Sequence, residues 1–264
     1  VFSTTIVNDY IFSTQTEDRE RRRLRLVEAA IDPMSHRALE RAGIRDSQHC
    51  LDAGAGAGSI LRWMGERVGR NGIAVGVDVS TRYLSDFTDP PYRIVESDLL
   101  SLSDEFSFDL IHCRYVLIHN LASERILDSL WKMLNPGGYL VCIEPDFTTA
   151  RDLSVRPSRP GSVNEAICAM FEAKGLDPEY GNRLPQAFAE RELTVASVEA
   201  RSHLCRGGET LAVMMGESAQ ALSDAYEATG KADSEDIRRY IDNASDPSHW
   251  ATYYTSVAVV GRKD

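Results

Sequence analysis

No run of about 18 apolar residues occurs anywhere in the chain, so no membrane-spanning helix is expected. The opening stretch from Val1 to Tyr10 lacks the basic start, apolar middle and small-residue cleavage site of a secretory leader. A soluble, cytoplasmic protein without a membrane partner is the expectation. Basic residues are in deficit, with 29 Lys and Arg against 40 Asp and Glu, and the net charge of -11 would repel a polyphosphate backbone. Nucleic acid is therefore not an expected partner. The five cysteines, Cys50, Cys113, Cys142, Cys168 and Cys205, include no Cys-x-x-Cys pair, which argues against both a zinc site and a disulfide framework and for reduced, mostly buried thiols. Internal repeats are lacking too, and no linker is strong enough to declare a second independent domain.

What is present is enough apolar sequence, 43% of 264 residues, for one large core or a core with a cap. Thr14-Gln15-Thr16-Glu17 has capping-box spacing, and Leu24, Val27 and Ile31 behind it share one face beneath a charged one, predicting a helix over 16–31. Pro33 is expected to break it, with a second short helix over 35–42 ending at Gly43. From Cys50 to Asp146 short apolar runs alternate with helical stripes, the pattern of a parallel sheet covered by helices. The runs begin at Cys50, Ile73, Tyr92, Phe108 and Tyr139; the stripes are Ile60, Leu61, Met64, Val68 and Leu127, Leu130, Trp131, Leu134. Arg151 to Gly161 reads as a mobile connection or lid. Helices are predicted beyond it at 162–174, 182–191, 209–229 and 233–243, and strands at 194–202 and 252–260.

The central chemical signal is Asp52-Ala53-Gly54-Ala55-Gly56-Ala57-Gly58, where a strand turns into a helix. Glycines there permit positive φ and let a ligand lie against the main chain, and the helix start offers amide donors. A dinucleotide fingerprint would space the glycines Gly-x-Gly-x-x-Gly, whereas here the third comes one residue early and Asp52 precedes the first by two. A carboxylate would repel a pyrophosphate but attract an amino-acid ammonium, so S-adenosylmethionine is favoured over NAD. Asp78, ending the run Ala74-Val75-Gly76-Val77-Asp78, can accept from both ribose hydroxyls, although a strand-ending Asp also suits a turn. In Glu96-Ser97-Asp98-Leu99, Asp98 can accept from an adenine amino group while Leu99 packs on the ring; a helix or turn cap fits Asp98 equally well.

These stretches, with Phe108-Asp109-Leu110-Ile111 and Asn135-Pro136-Gly137-Gly138, resemble the class I S-adenosylmethionine-dependent methyltransferases from Cys50 to Asp146. The N-terminal Glu20-Arg21-Arg22-Arg23-Leu24 after Tyr10 resembles the helical cap of a bacterial small-molecule branch. The resemblance implies an α/β fold: a Rossmann-like seven-stranded sheet, mostly parallel with an antiparallel last strand, plus a helical cap. It divides the chain into a cap over 1–45 and a methyltransferase domain over 46–264 with a cap insertion at about 205–245. It implies S-adenosylmethionine as cofactor, S-adenosylhomocysteine as product, and a small-molecule acceptor methylated on O, N or C. The implied cofactor contacts are Asp52, Gly54, Ala55, Gly56, Gly58, Asp78, Val79, Ser97, Asp98, Leu99, Arg114 and Tyr115. Tyr10 and Arg23 are candidates to close over the ligand, Arg23 fitting a solvated helix face as well.

Asp89-Pro90-Pro91-Tyr92 spells the signature of methyltransferases acting on exocyclic amino groups of DNA or on glutamine, but there it follows the fourth strand, and here it precedes the third. It is read as a rigid turn. His119, beyond the fourth strand, falls where relatives carry a histidine facing the methyl donor; it fits a general base titrating near neutrality or a buried structural histidine. His112 is read as core. Glu144 and Asp146 do not make a metal site, and no metal is expected. A non-methylating cofactor-binding protein or cyclase on the same fold is the alternative, with an NAD-dependent oxidoreductase behind it. The oligomeric state, a homodimer included, is open.

Overall fold

The computed structural model describes residues 16–102, 107–152 and 162–264. Tyr10, the Thr14-Gln15 half of the expected capping box and nearly all of the expected lid over 151–161 lie outside the described residues.

The chain opens with helix α1 (Glu17–Arg41). Five parallel strands follow, β1 (His49–Ala53), β2 (Ile73–Asp78), β3 (Tyr92–Glu96), β4 (Phe108–Arg114) and β5 (Leu134–Asp146), with α2 (Ser59–Val68) after β1 and α3 (Ser123–Lys132) after β4. Beyond a two-residue bridge, β6 (Arg151–Asp152), come α4 (Ser162–Ala173), α5 (Tyr180–Glu190) and β7 (Leu193–Arg206). Then α6 (Thr210–Ala221), α7 (Ser223–Ala228) and α8 (Ser234–Ser245) precede β8 (Trp250–Lys263). The long strands run in the order β3-β2-β1-β4-β5-β8, with β7 and the short β6 also paired to β8; β8 is antiparallel to its neighbours. This is the expected mostly parallel, seven-stranded sheet with an antiparallel last strand, extended by the bridge β6. After β1 the chain winds outward through β2 and β3, then returns to lay β4 and β5 on the other side. The crevice at that reversal, at the carboxyl ends of β1 and β4, is where open α/β sheets hold ligands.

Asn135-Pro136-Gly137-Gly138 is an excursion inside β5: the register jumps from Phe108 opposite Leu134 to Leu110 opposite Tyr139. Gly137 takes φ 78°, and Asn135 Nδ2 donates to Asp109 Oδ1 at 3.0 Å. Asp89–Tyr92 is the turn expected of it, closed by Tyr92 N–H on Asp89 O at 3.1 Å.

Two expectations are corrected. Helix α1 runs unbroken through Pro33. An interior proline costs roughly 3 kcal/mol, but Val27, Ile31, Met34, Ala38 and Leu39 form one continuous buried stripe across it. Burying Met34 and Leu39 beyond the break contributes about 1.5–3 kcal/mol each, which outweighs the lost backbone bond. The helix expected over 209–229 is two, α6 and α7, because the turn at Leu222 lets α6 pack on α8 and on α1 while α7 packs on α4. One straight helix could not serve both faces.

Candidate active site

Gly54, Gly56 and Gly58 all take positive φ, 76°, 57° and 87°, a region that costs other residues about 1–2 kcal/mol each. A Cβ on Gly58 would come within 2.6 Å of Phe87, and one on Gly54 would run into the Val116 side chain. The loop docks on the end of β2: Gly54 and Ala55 N–H donate to Val77 O at 2.8 and 3.0 Å. Asp78 then accepts from Gly56 N–H at 2.9 Å on one oxygen and from Ser80 N–H at 3.1 Å on the other. Burial pushes its carboxyl above the ordinary carboxylate value, and these two bonds pull back. Each oxygen keeps a lone pair for a diol.

A cavity of about 310 Å³ opens at this point. On its wall stand Arg23, Gly54, Ala55, Gly56, Asp78, Val79, Ser97, Asp98, Leu99, Arg114, Tyr115 and His119, so twelve of the fifteen residues picked from the sequence converge. Val79 is 53% exposed, and with Leu99 it offers the apolar surface a purine ring needs. Asp98 caps the 3-10 turn Leu99–Ser101 through one oxygen, on Leu100 N–H at 2.7 Å, and stands on the cavity wall. Arg23 is no solvated residue; its guanidinium meets both oxygens of Glu20 at 2.9 Å on the cavity wall.

Three residues stand apart. Tyr10 lies outside the described residues. Gly58 and Asp52, expected as cofactor contacts, do not line the cavity. Gly58 backs onto Phe87 and Leu84. Asp52 is opposite His112 in the β1–β4 register and 3% exposed, and its Oδ1 lies 2.8 Å from His112 Nδ1. His112, core as expected, reaches Ser35 at 3.2 Å; Arg114 donates to Ser35 and Asp32 at 3.0 and 2.8 Å, and Ser59 donates to Asp32 at 3.0 Å. This buried network fixes α1 to the floor of the glycine loop, satisfying polar groups that would be costly alone.

Beyond β4 the backbone turns sharply. Tyr115 adopts φ 54°, strained for a non-glycine residue, and its hydroxyl is tied to Ser256 at 2.6 Å and to Tyr254 at 3.3 Å. The fully buried Glu144 accepts from the N–H groups of Val116, Leu117 and Ile118 at 3.0, 2.9 and 3.2 Å and so shapes the 3-10 turn Leu117–His119. That turn presents His119 to the cavity with its ring stacked on Phe171 at 5.9 Å. Burial, aided by the Arg23 charge, pushes the His119 pKa down to about 3. The expected titration near neutrality is thereby corrected: the imidazole is neutral throughout the neutral range. Asp146 accepts from Thr148 and from Asn182 Nδ2 at 2.7 Å, so like Glu144 it is engaged by protein donors.

Burial outweighs the three N–H bonds and pushes the Glu144 pKa from 4.5 up to about 8. A raised acid holds its proton in the folded state while the unfolded chain releases it. Stability is therefore complete below the unfolded value and lost as pH rises through the folded one, by up to about 1.4 kcal/mol per pH unit. Glu144→Gln removes this slope. Between about pH 5 and about pH 8 the wild-type Tm should fall relative to that of the variant; parallel Tm curves would contradict the assignment.

Sequence reasoning missed Glu20, Leu24, Val27 and Glu28, which share one face of α1 over the cavity, and Tyr83, also on the cavity wall, whose hydroxyl donates to Glu17 O at 2.9 Å. The signal for the first four was present: 20, 24, 27, 28 and 31 follow helical spacing around the Leu24–Val27–Ile31 stripe.

Residues 19–189 match the family described as Methyltransferase domain. The chain belongs to that family, among the class I S-adenosylmethionine-dependent methyltransferases. It is 26% identical over 117 residues, 40% of this chain and 46% of the relative, to the ubiquinone/menaquinone biosynthesis C-methyltransferase UbiE of Hydrogenovibrio crunogenus. The chain spans about half the length of the first curated relatives it matches. In fold it is similar to the [4+2]-cyclase SpnF, with TM-score 0.57, 16% identity and 89% of this chain against 81% of that one. It is also similar to coclaurine N-methyltransferase bound to N-methylheliamine and S-adenosylhomocysteine, with TM-score 0.56, 15% identity, and 89% and 73% covered.

Proposed function

We propose that this chain transfers the methyl group of S-adenosylmethionine to O, N or C of a small-molecule acceptor. The observation that carries the reading is convergence: the glycine loop, Asp78, Asp98 and His119, from four separate sequence stretches, line one cavity at the carboxyl ends of β1 to β4. The cavity volume lies at the lower end of the range of small-ligand sites. S-adenosylmethionine supplies an electrophilic methyl on a sulfonium leaving group, so the protein's work is to position, dry the site and take up a proton. Asp78 holds the ribose hydroxyls, Asp98 the adenine amino group, and Val79 and Leu99 the ring. His119, a neutral imidazole, accepts the proton an O–H or N–H nucleophile gives up as its bond to the methyl carbon forms and the carbon–sulfur bond breaks.

A small acceptor agrees with the net charge of -11 and with N-methylheliamine, the small molecule bound in the coclaurine N-methyltransferase structure. Among the described residues no helix is long and apolar enough to cross a membrane. The likeness to a cyclase supports a second reading, a cofactor-binding protein that does not methylate. Mass spectrometry of incubations with S-adenosylmethionine and a panel of phenols, quinols, amines and carbon nucleophiles separates the two. Methyl transfer predicts S-adenosylhomocysteine and an acceptor heavier by one methylene, in equal amounts. Conversion of an acceptor without S-adenosylhomocysteine would favour the cyclase.

A further inference from the structure

We propose that Glu28, on the inward face of α1, holds the ammonium group of the cofactor's methionine, the role the sequence reading gave to Asp52. The inference rests on S-adenosylmethionine as ligand of the cavity. Four carboxylates stand on the cavity wall, and three have other work. Asp78 and Asp98, at the ends of β2 and β3, face the side where ribose and base lie. Glu20 is gripped at both oxygens by Arg23. Asp52 is off the wall and joined to His112. Glu28 remains, above the glycine loop and toward β4.

Glu28 Oε1 accepts from Ser59 N–H at 3.2 Å, and the Ser59 side chain also bonds the carboxylate. Its nearest charges are Asp32, one helical turn on, and Arg114, whose guanidinium is spent on Asp32 at 2.8 Å. Burial and the Asp32 charge both push the Glu28 carboxyl up, against the pull of Ser59 and the Arg114 charge. An ammonium placed there would meet a carboxylate on a partly desolvated cavity wall, where charge-assisted hydrogen bonds are strong.

The test compares S-adenosylhomocysteine with 5'-methylthioadenosine, which keeps the adenosine and sulfur but has no amino-acid part. Glu28→Gln keeps an oxygen for Ser59 N–H, removes the charge and exchanges the second oxygen for an amide NH2. Calorimetry should show S-adenosylhomocysteine binding weakened about 10- to 100-fold in the variant, with 5'-methylthioadenosine within about twofold of wild type. Equal loss for both ligands, or no loss for either, overturns the proposal. A ligand-side arm needs no variant: on wild-type protein, S-adenosylhomocysteine lacking its amino group should bind weaker by a similar factor, and undiminished binding would overturn the proposal as well. Wild-type protein that binds none of these ligands contradicts the cofactor reading itself, which keeps the two failures distinct.

Discussion

Replacing His119 by alanine is expected to lower methyl-transfer turnover by about 100- to 10,000-fold while leaving S-adenosylhomocysteine affinity nearly unchanged. The side chain is on the cavity wall, held on a turn that Glu144 shapes and stacked on Phe171. With its pKa near 3, it is already in the base form at every working pH. No rate limb near neutrality should come from it, and turnover of the wild type, corrected for folded fraction, should be flat through the neutral range. So low a basicity does not disqualify it. The reaction removes a positive charge from the sulfonium as it adds one to the imidazole, so the charge enclosed by the cavity is conserved and the desolvation that depresses the resting pKa is largely offset. A His119→Ala protein with near-wild-type turnover per folded molecule, and a lower Tm, would show the residue to be structural.

Asp78→Ala should weaken S-adenosylhomocysteine by about 5- to 150-fold, the equivalent of 1–3 kcal/mol for lost acceptors on the ribose diol. Gly56→Val should act more severely. It forces a β-branched residue into φ 57° and projects a side chain toward Leu24 of α1, 3.6 Å from a Cβ at that point, on the cavity wall. Its Tm should fall by the cost of that strain, and binding should be lost beyond it. Calorimetry on folded protein is the check, and unchanged affinity in both variants would contradict the glycine loop and Asp78 as the cofactor's seat.

The fold was largely legible because its signals are local. A glycine turn between an apolar run and a helical stripe can hardly be written otherwise, and β1, β2 and β4 are short, largely buried runs with their own boundary residues. The wall residues after β1 to β4 were legible for the same reason, since strand ends in this topology converge on one crevice. What escaped depends on tertiary pairing. Asp52 looked like a ligand carboxylate because nothing in the sequence says that His112, sixty positions on, stands opposite it. Pro33 looked like a stop because a buried stripe on both sides of a proline shows its worth only when packed. Glu28 was one charge among many on α1 until the helix was laid over the loop. The His119 titration was misjudged because burial is a property of the fold.

The central claim is that the crevice holds S-adenosylmethionine by its adenosine and amino-acid ends. Titration calorimetry of the wild-type protein with S-adenosylhomocysteine, alongside NAD, tests it most directly. Saturable one-site binding of S-adenosylhomocysteine, weakened by Asp78→Ala, is expected, with no heat from NAD. Binding of NAD in its place, or S-adenosylhomocysteine affinity indifferent to Asp78, would contradict it.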